Sequence, residues 1–113
     1  LAPTILAAAG IEPPAGMQGR DISSLYRSEN RPEWRKEYFY EHSTIISPEV
    51  IPASQALVRL NWKYFYWPVH GVEQLFHLGT DPHEQKDLIA DPKHAAKLAE
   101  MRQRFAELKA AAE

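Results

Sequence analysis

The C-terminal part of the chain carries apolar residues at helical spacing. Apolar side chains recur every three or four positions, which is the period of an α-helix with one apolar face. The members of this stripe are Ala95, Leu98, Met101, Phe105, Leu108 and Ala112. Asp91 and Pro92 supply a start signal, because proline suits the first helical position. We therefore predict a helix over roughly 92–111.

A shorter helical pattern opens the chain. Its first ten residues are rich in alanine, and Pro3 suits a first turn because proline has no backbone N–H to donate. Gly10 suits the left-handed residue that often ends a helix. This predicts a helix over roughly 2–9, followed by a connection in which Asp21 caps a single helical turn.

The middle of the chain has the short, aromatic-rich and β-branched segments that are typical of strands. Four such segments are separated by turns, roughly at 37–42, 55–60, 62–67 and 73–78. In the first, Tyr38 and Tyr40 share one face and Phe39 lies on the other. Close turns predict an antiparallel meander, and the narrow stripe of the C-terminal helix needs a flat partner. The predicted fold is therefore α+β, a small antiparallel sheet packed against the long C-terminal helix.

One connection between the predicted strands is long. Residues 43–54 hold two prolines and four β-branched aliphatic residues, and loops of this length often carry function. Glu41 and His42 precede this loop at a strand end, which positions a side chain well. The alternative is that Glu41 forms an ion pair with Arg59 or Lys63 across the sheet and that His42 is solvated.

The third predicted strand holds four Trp and Tyr residues: Trp62, Tyr64, Tyr66 and Trp67. Their rings could stack on sugars, because an aromatic face suits an apolar C–H surface. At alternating strand positions they could equally form the two faces of the sheet. Both interpretations stay open at the level of sequence.

Charge and composition exclude several kinds of protein. The 113 residues include 13 Lys and Arg against 15 Asp and Glu, a net charge of −2, so we expect no nucleic-acid partner. No apolar run approaches the roughly 20 residues of a membrane span, so we expect no membrane association. The chain has no cysteine and none of the common catalytic motifs, and its five histidines lack metal-ligand spacing. We predict no catalytic residue, no metal site and no cofactor in this chain.

Three segments together resemble a known family. LAPTILAAAGI at 1–11 followed by MQGRD at 17–21, ALVRLNWKY at 56–64, and EQLFHLGTDPHEQKDL at 73–88 occur in the order found after the catalytic domain of sulfatases. The chain thus resembles the C-terminal subdomain of a formylglycine-dependent sulfatase of the alkaline-phosphatase-like superfamily. Its nearest groups are the arylsulfatases and the N-sulfoglucosamine sulfohydrolases.

The resemblance implies one subdomain over 1–113, in which 1–36 is the helix and connection to a catalytic domain of the same polypeptide. Formylglycine and calcium are expected in that catalytic domain, since this chain has no C-x-P-x-R or S-x-P-x-R motif. The implied substrate is a sulfated compound, with carbohydrate favoured, and the chain alone is expected to be inactive. In the family, loops of this subdomain help to wall the substrate pocket, which makes His42 and His70 the pocket candidates.

Other interpretations stay open. The same tail could belong to a phosphonate or phosphate monoester hydrolase of the superfamily, or the chain could be a stand-alone module that binds carbohydrate or protein. The exposed apolar residues of a severed subdomain would favour a dimer of the isolated chain. Localisation is undetermined, with a periplasmic or secreted parent favoured.

The resemblance generates a prediction about the gene. We expect a C-x-P-x-R or S-x-P-x-R motif roughly 300–400 residues before Leu1, the size of a separate large domain. Sequencing the region upstream of Leu1 checks this. An in-frame start codon just before Leu1 would contradict it and would favour the stand-alone module.

Overall fold

The computed structural model describes residues 1–27, 29 and 32–112. By its internal contacts the chain divides into two compact units, Leu1–Trp34 and Arg35–Glu113. The described part of the first unit holds two short helices, whereas the second unit holds the sheet and the long helix.

Helix α1 (Ala2–Ala8) of the first unit ends at a glycine, as predicted. Gly10 has φ +71°, in the left-handed region that side chains with a Cβ rarely adopt. Its N–H donates to the carbonyl of Ala7 at 3.1 Å, and the N–H of Ile11 donates to the carbonyl of Leu6 at 2.9 Å. This is the Schellman arrangement, which satisfies the last carbonyls of a helix.

The connection after α1 is attached to it by hydrogen bonds. The N–H of Ile22 donates to the Thr4 hydroxyl at 3.1 Å, and the Asp21 carboxylate accepts from the N–H and the hydroxyl of Ser23. These bonds from Ser23 lower the pKa of Asp21. Asp21 therefore organises the turn, and the one-turn helix α2 (Ser24–Arg27) begins three residues after it.

The second unit is an antiparallel sheet with one long helix. Its strands are β1 (Glu37–His42), β2 (Ser54–Arg59), β3 (Lys63–Trp67) and β4 (Val72–Phe76), and helix α3 (Ala95–Ala112) follows. The strands pair in chain order, so β1 and β4 are the edge strands. The predicted α+β fold is confirmed, with strand ends within two residues of the expected positions.

Tight turns produce this meander. Between β2 and β3, Leu60 and Asn61 form a two-residue turn flanked by Arg59 and Trp62, where the N–H of Arg59 donates to the carbonyl of Trp62 at 2.8 Å. Gly71, with φ +63°, takes the left-handed position in the turn between β3 and β4. Connections this short permit only antiparallel pairing of β2 with β3 and of β3 with β4.

The start of α3 differs from a plain α-helix. Pro92–His94 form a 3₁₀ turn, and α-helical geometry begins at Ala95. The Asp91 carboxylate accepts the N–H of Lys93 at 3.0 Å, so the predicted cap forms on this tighter turn.

The core lies between α3 and one face of the sheet, which we call the inner face. Its buried members are Leu57, Tyr64, Leu75, Leu88, Leu98, Met101 and Phe105. Phe105 meets three rings of the sheet edge-on, with centroid distances of 5.4 Å to Phe39, 5.0 Å to Tyr64 and 6.2 Å to Tyr66. Burial, and to a smaller extent the negative charge of Glu73, raises the pKa of Tyr64 to about 12, so its phenol is neutral at physiological pH.

Ion pairs connect α3 to both edge strands. Arg104 binds Glu37 of β1 at 2.6 Å, and the Nε of Arg102 donates to Glu73 of β4 at 2.8 Å. Arg102 and Arg104 lie on either side of the apolar stripe of α3. Because both pairs are partly exposed to solvent, we expect each to contribute little to the free energy of folding.

The alternative prediction, that Glu41 forms an ion pair with Arg59 or Lys63, is wrong. Glu41 lies opposite Gln55 and accepts a hydrogen bond from its side-chain amide. Arg59 lies opposite Glu37, at the other end of β1, and Lys63 lies on the opposite face of the sheet. The pairing register therefore puts both cations out of reach of Glu41.

The segment 77–91 folds along the β4 edge. The N–H of Glu84 donates to the carbonyl of Asp81 at 3.2 Å, which closes a turn at the Asp81-Pro82 step. The N–H of Leu88 donates to the carbonyl of Leu75 at 2.8 Å, and the Leu88 side chain is buried in the core. This segment thus covers an edge that would otherwise expose unpaired backbone groups.

The core generates a stability prediction. Met101 is fully buried, and Met101→Ala should lower the free energy of unfolding by about 2–5 kcal/mol because it leaves a cavity against the sheet. Urea denaturation of this chain followed by circular dichroism measures the change. Gln103→Ala on the exposed side of α3 is the control and should stay within about 0.5 kcal/mol of wild type. Equal losses in the two variants would contradict the core assignment.

Candidate functional site

One end of the sheet gathers the residues of interest on the face opposite α3, which we call the outer face. His42 lies opposite Ser54, and Trp67 lies opposite Val72. The β2–β3 register places Ser54 beside Trp67. Since neighbouring strands are about 4.8 Å apart, this row crosses the sheet in about 14 Å. Both sequence-predicted candidates therefore lie at the same end of the sheet, His42 in the row and His70 in the turn that follows β3.

The 43–53 loop closes on itself. The N–H of Ile45 donates to the carbonyl of Ile51 at 3.1 Å, and the Ser47 carbonyl accepts the N–H groups of Val50 and Ile51. The long connection is thus a compact lobe beside the row, held by its own backbone hydrogen bonds.

The tip of this lobe is apolar and strained. Ile46 has φ +67° and is 86% exposed, although a β-branched residue in the left-handed region is a steric outlier. Its neighbours Ile45, Val50 and Ile51 are exposed as well. Strain of this kind costs of order 1–3 kcal/mol and is concentrated at functional sites, which marks the lobe as more than a linker.

A groove lies between the lobe and the β3–β4 turn. It has a volume of about 360 Å³ and is lined by Pro52, Trp67, His70, Val72 and Gln74, and we call it the Trp67 groove. The 43–53 loop contributes the proline, the turn contributes the histidine, and the strands contribute the rest. The volume is within the range of small-molecule sites.

The tryptophan at the base of the groove is held on two sides. Its indole Nε1 donates to the Gln74 Oε1 at 2.9 Å. Its ring lies 4.7 Å from that of Phe65, tilted by 36°. The indole therefore has a defined orientation.

His70 has an acidic neighbour in the lobe. The pKa of Glu49 is lowered chiefly by a hydrogen bond from the Ser47 hydroxyl and by a backbone N–H, with a smaller electrostatic contribution from His70. That contribution places the Glu49 carboxylate within electrostatic range of the imidazole. Glu49 is thus ionised at neutral pH, and it precedes the groove residue Pro52 by three positions in the same loop.

His42 occupies a different part of this end. It is half-buried at the end of β1, opposite the buried Ser54, and is not among the residues that line the Trp67 groove. Two strand spacings, about 10 Å, separate its strand from that of Trp67. The two histidines therefore flank one end of the sheet without sharing a cavity.

The other aromatic residues of the sequence prediction have different surroundings. Tyr64 and Tyr66 point to the inner face and pack against α3. The ring of Trp62 lies edge-on between His77 at 4.5 Å and His94 at 5.5 Å. These three rings are used in packing, as the structural interpretation expected.

A second cavity, also of about 360 Å³, lies in the segment after β4 and includes His77, Thr80, Asp81 and Lys86 in its lining. Its polar groups bind one another: the N–H of Thr80 donates to the His77 Nδ1 at 3.1 Å, and the N–H of Lys86 donates to Asp81 at 2.8 Å. These bonds belong to the turn. Within residues 1–27, 29 and 32–112, no group of three or more His, Asp or Glu could hold a metal ion, and no helix is long and apolar enough to cross a membrane.

Sequence reasoning missed three members of the groove, Pro52, Val72 and Gln74. The sequence predicts Gln74 only as part of a strand, and Pro52 and Val72 only as parts of connections. A signal for Gln74 existed, because residues two apart in a strand share a face and Val72 pairs with Trp67. No sequence signal placed Pro52 in the groove, since its position depends on how the 43–53 loop folds.

Comparison with known proteins identifies relatives of the chain. The family model described as "N-sulphoglucosamine sulphohydrolase, C-terminal" matches residues 1–111. A Delta 4,5-hexuronate-2-O-sulfatase of Bacteroides thetaiotaomicron is 30% identical over 110 residues, which cover 90% of this chain and 21% of that protein. The chain thus spans about a fifth of the length of this relative.

Solved structures show the same fold. A putative sulfatase from Bacteroides thetaiotaomicron and a 2-O GAG sulfatase are each 29% identical, with TM-scores of 0.80 and 0.79, over 95% of this chain and 23% of theirs. A protein solved in complex with its substrate D-glucosamine-2-N,6-O-disulfate is 23% identical, with a TM-score of 0.82, over 94% of this chain and 22% of that one. At 23% identity, the similarity to this last protein shows a shared fold and nothing further.

The strained loop residue generates a prediction. Ile46→Gly should raise the free energy of unfolding of this chain by about 0.5–1 kcal/mol, because glycine accepts a positive φ and little buried surface is lost. Val50→Gly is the matched control on the same lobe, where φ is not positive, and it should be neutral or destabilising. Urea denaturation measures both. A destabilised Ile46→Gly variant would show that the left-handed conformation is not strained.

Proposed function

Because the chain belongs to the N-sulphoglucosamine sulphohydrolase C-terminal family, we propose that it is the C-terminal part of a longer enzyme that hydrolyses sulfate esters or sulfamates. The observation that carries this proposal is the family match across residues 1–111. The 30% identity to a hexuronate-2-O-sulfatase supports a sulfated carbohydrate as the substrate. The catalytic domain of the same polypeptide is then the main partner of this chain.

The proposed role of the chain in that enzyme is non-catalytic. Its sequence has no cysteine and no S-x-P-x-R motif from which formylglycine could arise. Calcium, which the resemblance implies for the parent, does not fit here, because the described residues bring together no three acidic or histidine side chains. We therefore assign the nucleophile and the metal to the catalytic domain.

We assign the 43–53 lobe and the two histidines to the wall of the substrate pocket. Support comes from their common location at one end of the sheet, where the lobe, the β3–β4 turn and the Trp67 groove meet. Imidazole N–H groups of His42 and His70 would donate hydrogen bonds to sulfate or hydroxyl oxygens. The exposed apolar tip at Ile46 and Val50 suits contact with the catalytic domain. The dimer of the isolated chain stays a prediction that depends on the same tip.

The proposal predicts a difference between the full-length protein and this chain. The full-length protein should release sulfate from a disaccharide with a Δ4,5-hexuronate 2-O-sulfate at its non-reducing end, because the nucleophile is present there. The 113-residue chain should release none at any calcium concentration. Ion chromatography of free sulfate measures both reactions, with 4-nitrophenyl sulfate as a second substrate. Hydrolysis by the purified chain would contradict the non-catalytic role, and an inactive full-length protein would contradict the sulfatase assignment.

A further inference from the structure

The structure separates one aromatic residue from the others. Tyr64 and Tyr66 are packed against Phe105, and Trp62 contacts two imidazoles edge-on. Trp67 instead lines a groove of about 360 Å³ on the outer face. Trp62 also lines a cavity, of about 250 Å³, but charged side chains such as Lys97 and Glu100 form much of its lining. Among the described residues, the lining of the Trp67 groove has no such ionised side chain and is mostly apolar, which suits a sugar ring better.

The groove presents the indole as a fixed platform. An indole N–H can only donate, so the Gln74 atom that accepts from it at 2.9 Å must be the carbonyl oxygen. The two N–H donors of the Gln74 amide are therefore the groups that remain for a ligand. With Phe65 at 4.7 Å on the indole, little rotational freedom is lost when a ligand binds.

The chemistry of the walls indicates the kind of ligand. Pro52, Trp67 and Val72 form an apolar floor, and the polar groups His70 and Gln74 complete the lining. A pyranose ring has the matching distribution, with C–H groups on its faces and hydroxyl groups around its edge. The ionised Glu49 near His70 disfavours a sulfate group at this position.

We propose that Trp67 is a substrate-binding residue on which a sugar ring of the glycan stacks, with its hydroxyl groups bound by Gln74 and His70. The sulfate that is cleaved lies outside this groove. The inference rests on the proposed function for the identity of the glycan, and it adds a subsite that selects carbohydrate over other sulfate esters.

The test measures binding separately from hydrolysis. The probe is the Δ4,5-hexuronate disaccharide without its 2-O-sulfate, which retains the rings and cannot be hydrolysed by a sulfatase. In the full-length protein, Trp67→Ala should weaken its binding by about tenfold in calorimetry, and Trp67→Phe should retain most of it, because a smaller ring still stacks. Tyr38→Ala is the matched control: it removes an exposed ring of the outer face at the other end of β1 and should bind as wild type does.

Inhibition by inorganic sulfate supplies the second readout. Trp67→Ala should leave the sulfate inhibition constant unchanged while it raises the KM for the sulfated disaccharide about tenfold. Wild-type binding of the disaccharide by Trp67→Ala would overturn the proposal, as would an equal loss of disaccharide and sulfate binding, which would indicate a structural role. If the full-length protein hydrolyses no sulfate ester but binds the disaccharide through Trp67, the sulfatase assignment fails and the stacking site stands.

Discussion

The packing of one helix on one face of the sheet is the constraint on which the rest of the second unit depends. A sheet of four short strands has little stability by itself, and three of the seven buried residues of the core come from α3. Phe105 contacts rings from β1 and β3, and Met101 is fully buried among them. Arginines at the sides of the stripe then set the helix direction by pairing with both edge strands. The burial of apolar side chains contributes more to the stability of this unit than the ion pairs do, because the ion pairs are partly exposed to solvent.

This packing gives the two faces of the sheet different roles. Alternation along each strand sends Phe39, Leu57, Tyr64 and Leu75 towards α3, so these side chains are committed to stability. The residues between them face outward, and at one end they form the row from His42 to Val72. A ligand that binds at this row would meet side chains held by a rigid core beneath them, which is the usual basis of a precise binding site.

The lobe at 43–53 and the Trp67 groove are related by more than proximity. Pro52 of the loop is part of the groove lining, and Glu49 of the same loop lies within electrostatic range of His70, another lining residue. The strained Ile46 at the tip is held by the hydrogen bonds that close the loop between Ile45 and Ile51. In a longer sulfatase this arrangement would present an apolar tip to the catalytic domain and a mixed apolar and polar groove to the glycan, two contacts made by adjacent parts of one segment.

The sequence by itself determined the elements whose causes are local. The period of the apolar stripe predicted α3, Gly10 predicted the end of α1, and turn residues predicted the meander, because each depends on a few neighbouring residues. The family motifs were equally visible in the chain. Only the tertiary structure decided that Glu41 pairs with Gln55 and not with Arg59, since a cross-strand partner depends on register. It alone distinguished Trp67 from Trp62, and joined Pro52 to Gln74 in one groove, because these contacts arise between residues that are distant along the chain and that meet only when the sheet and its loops have closed.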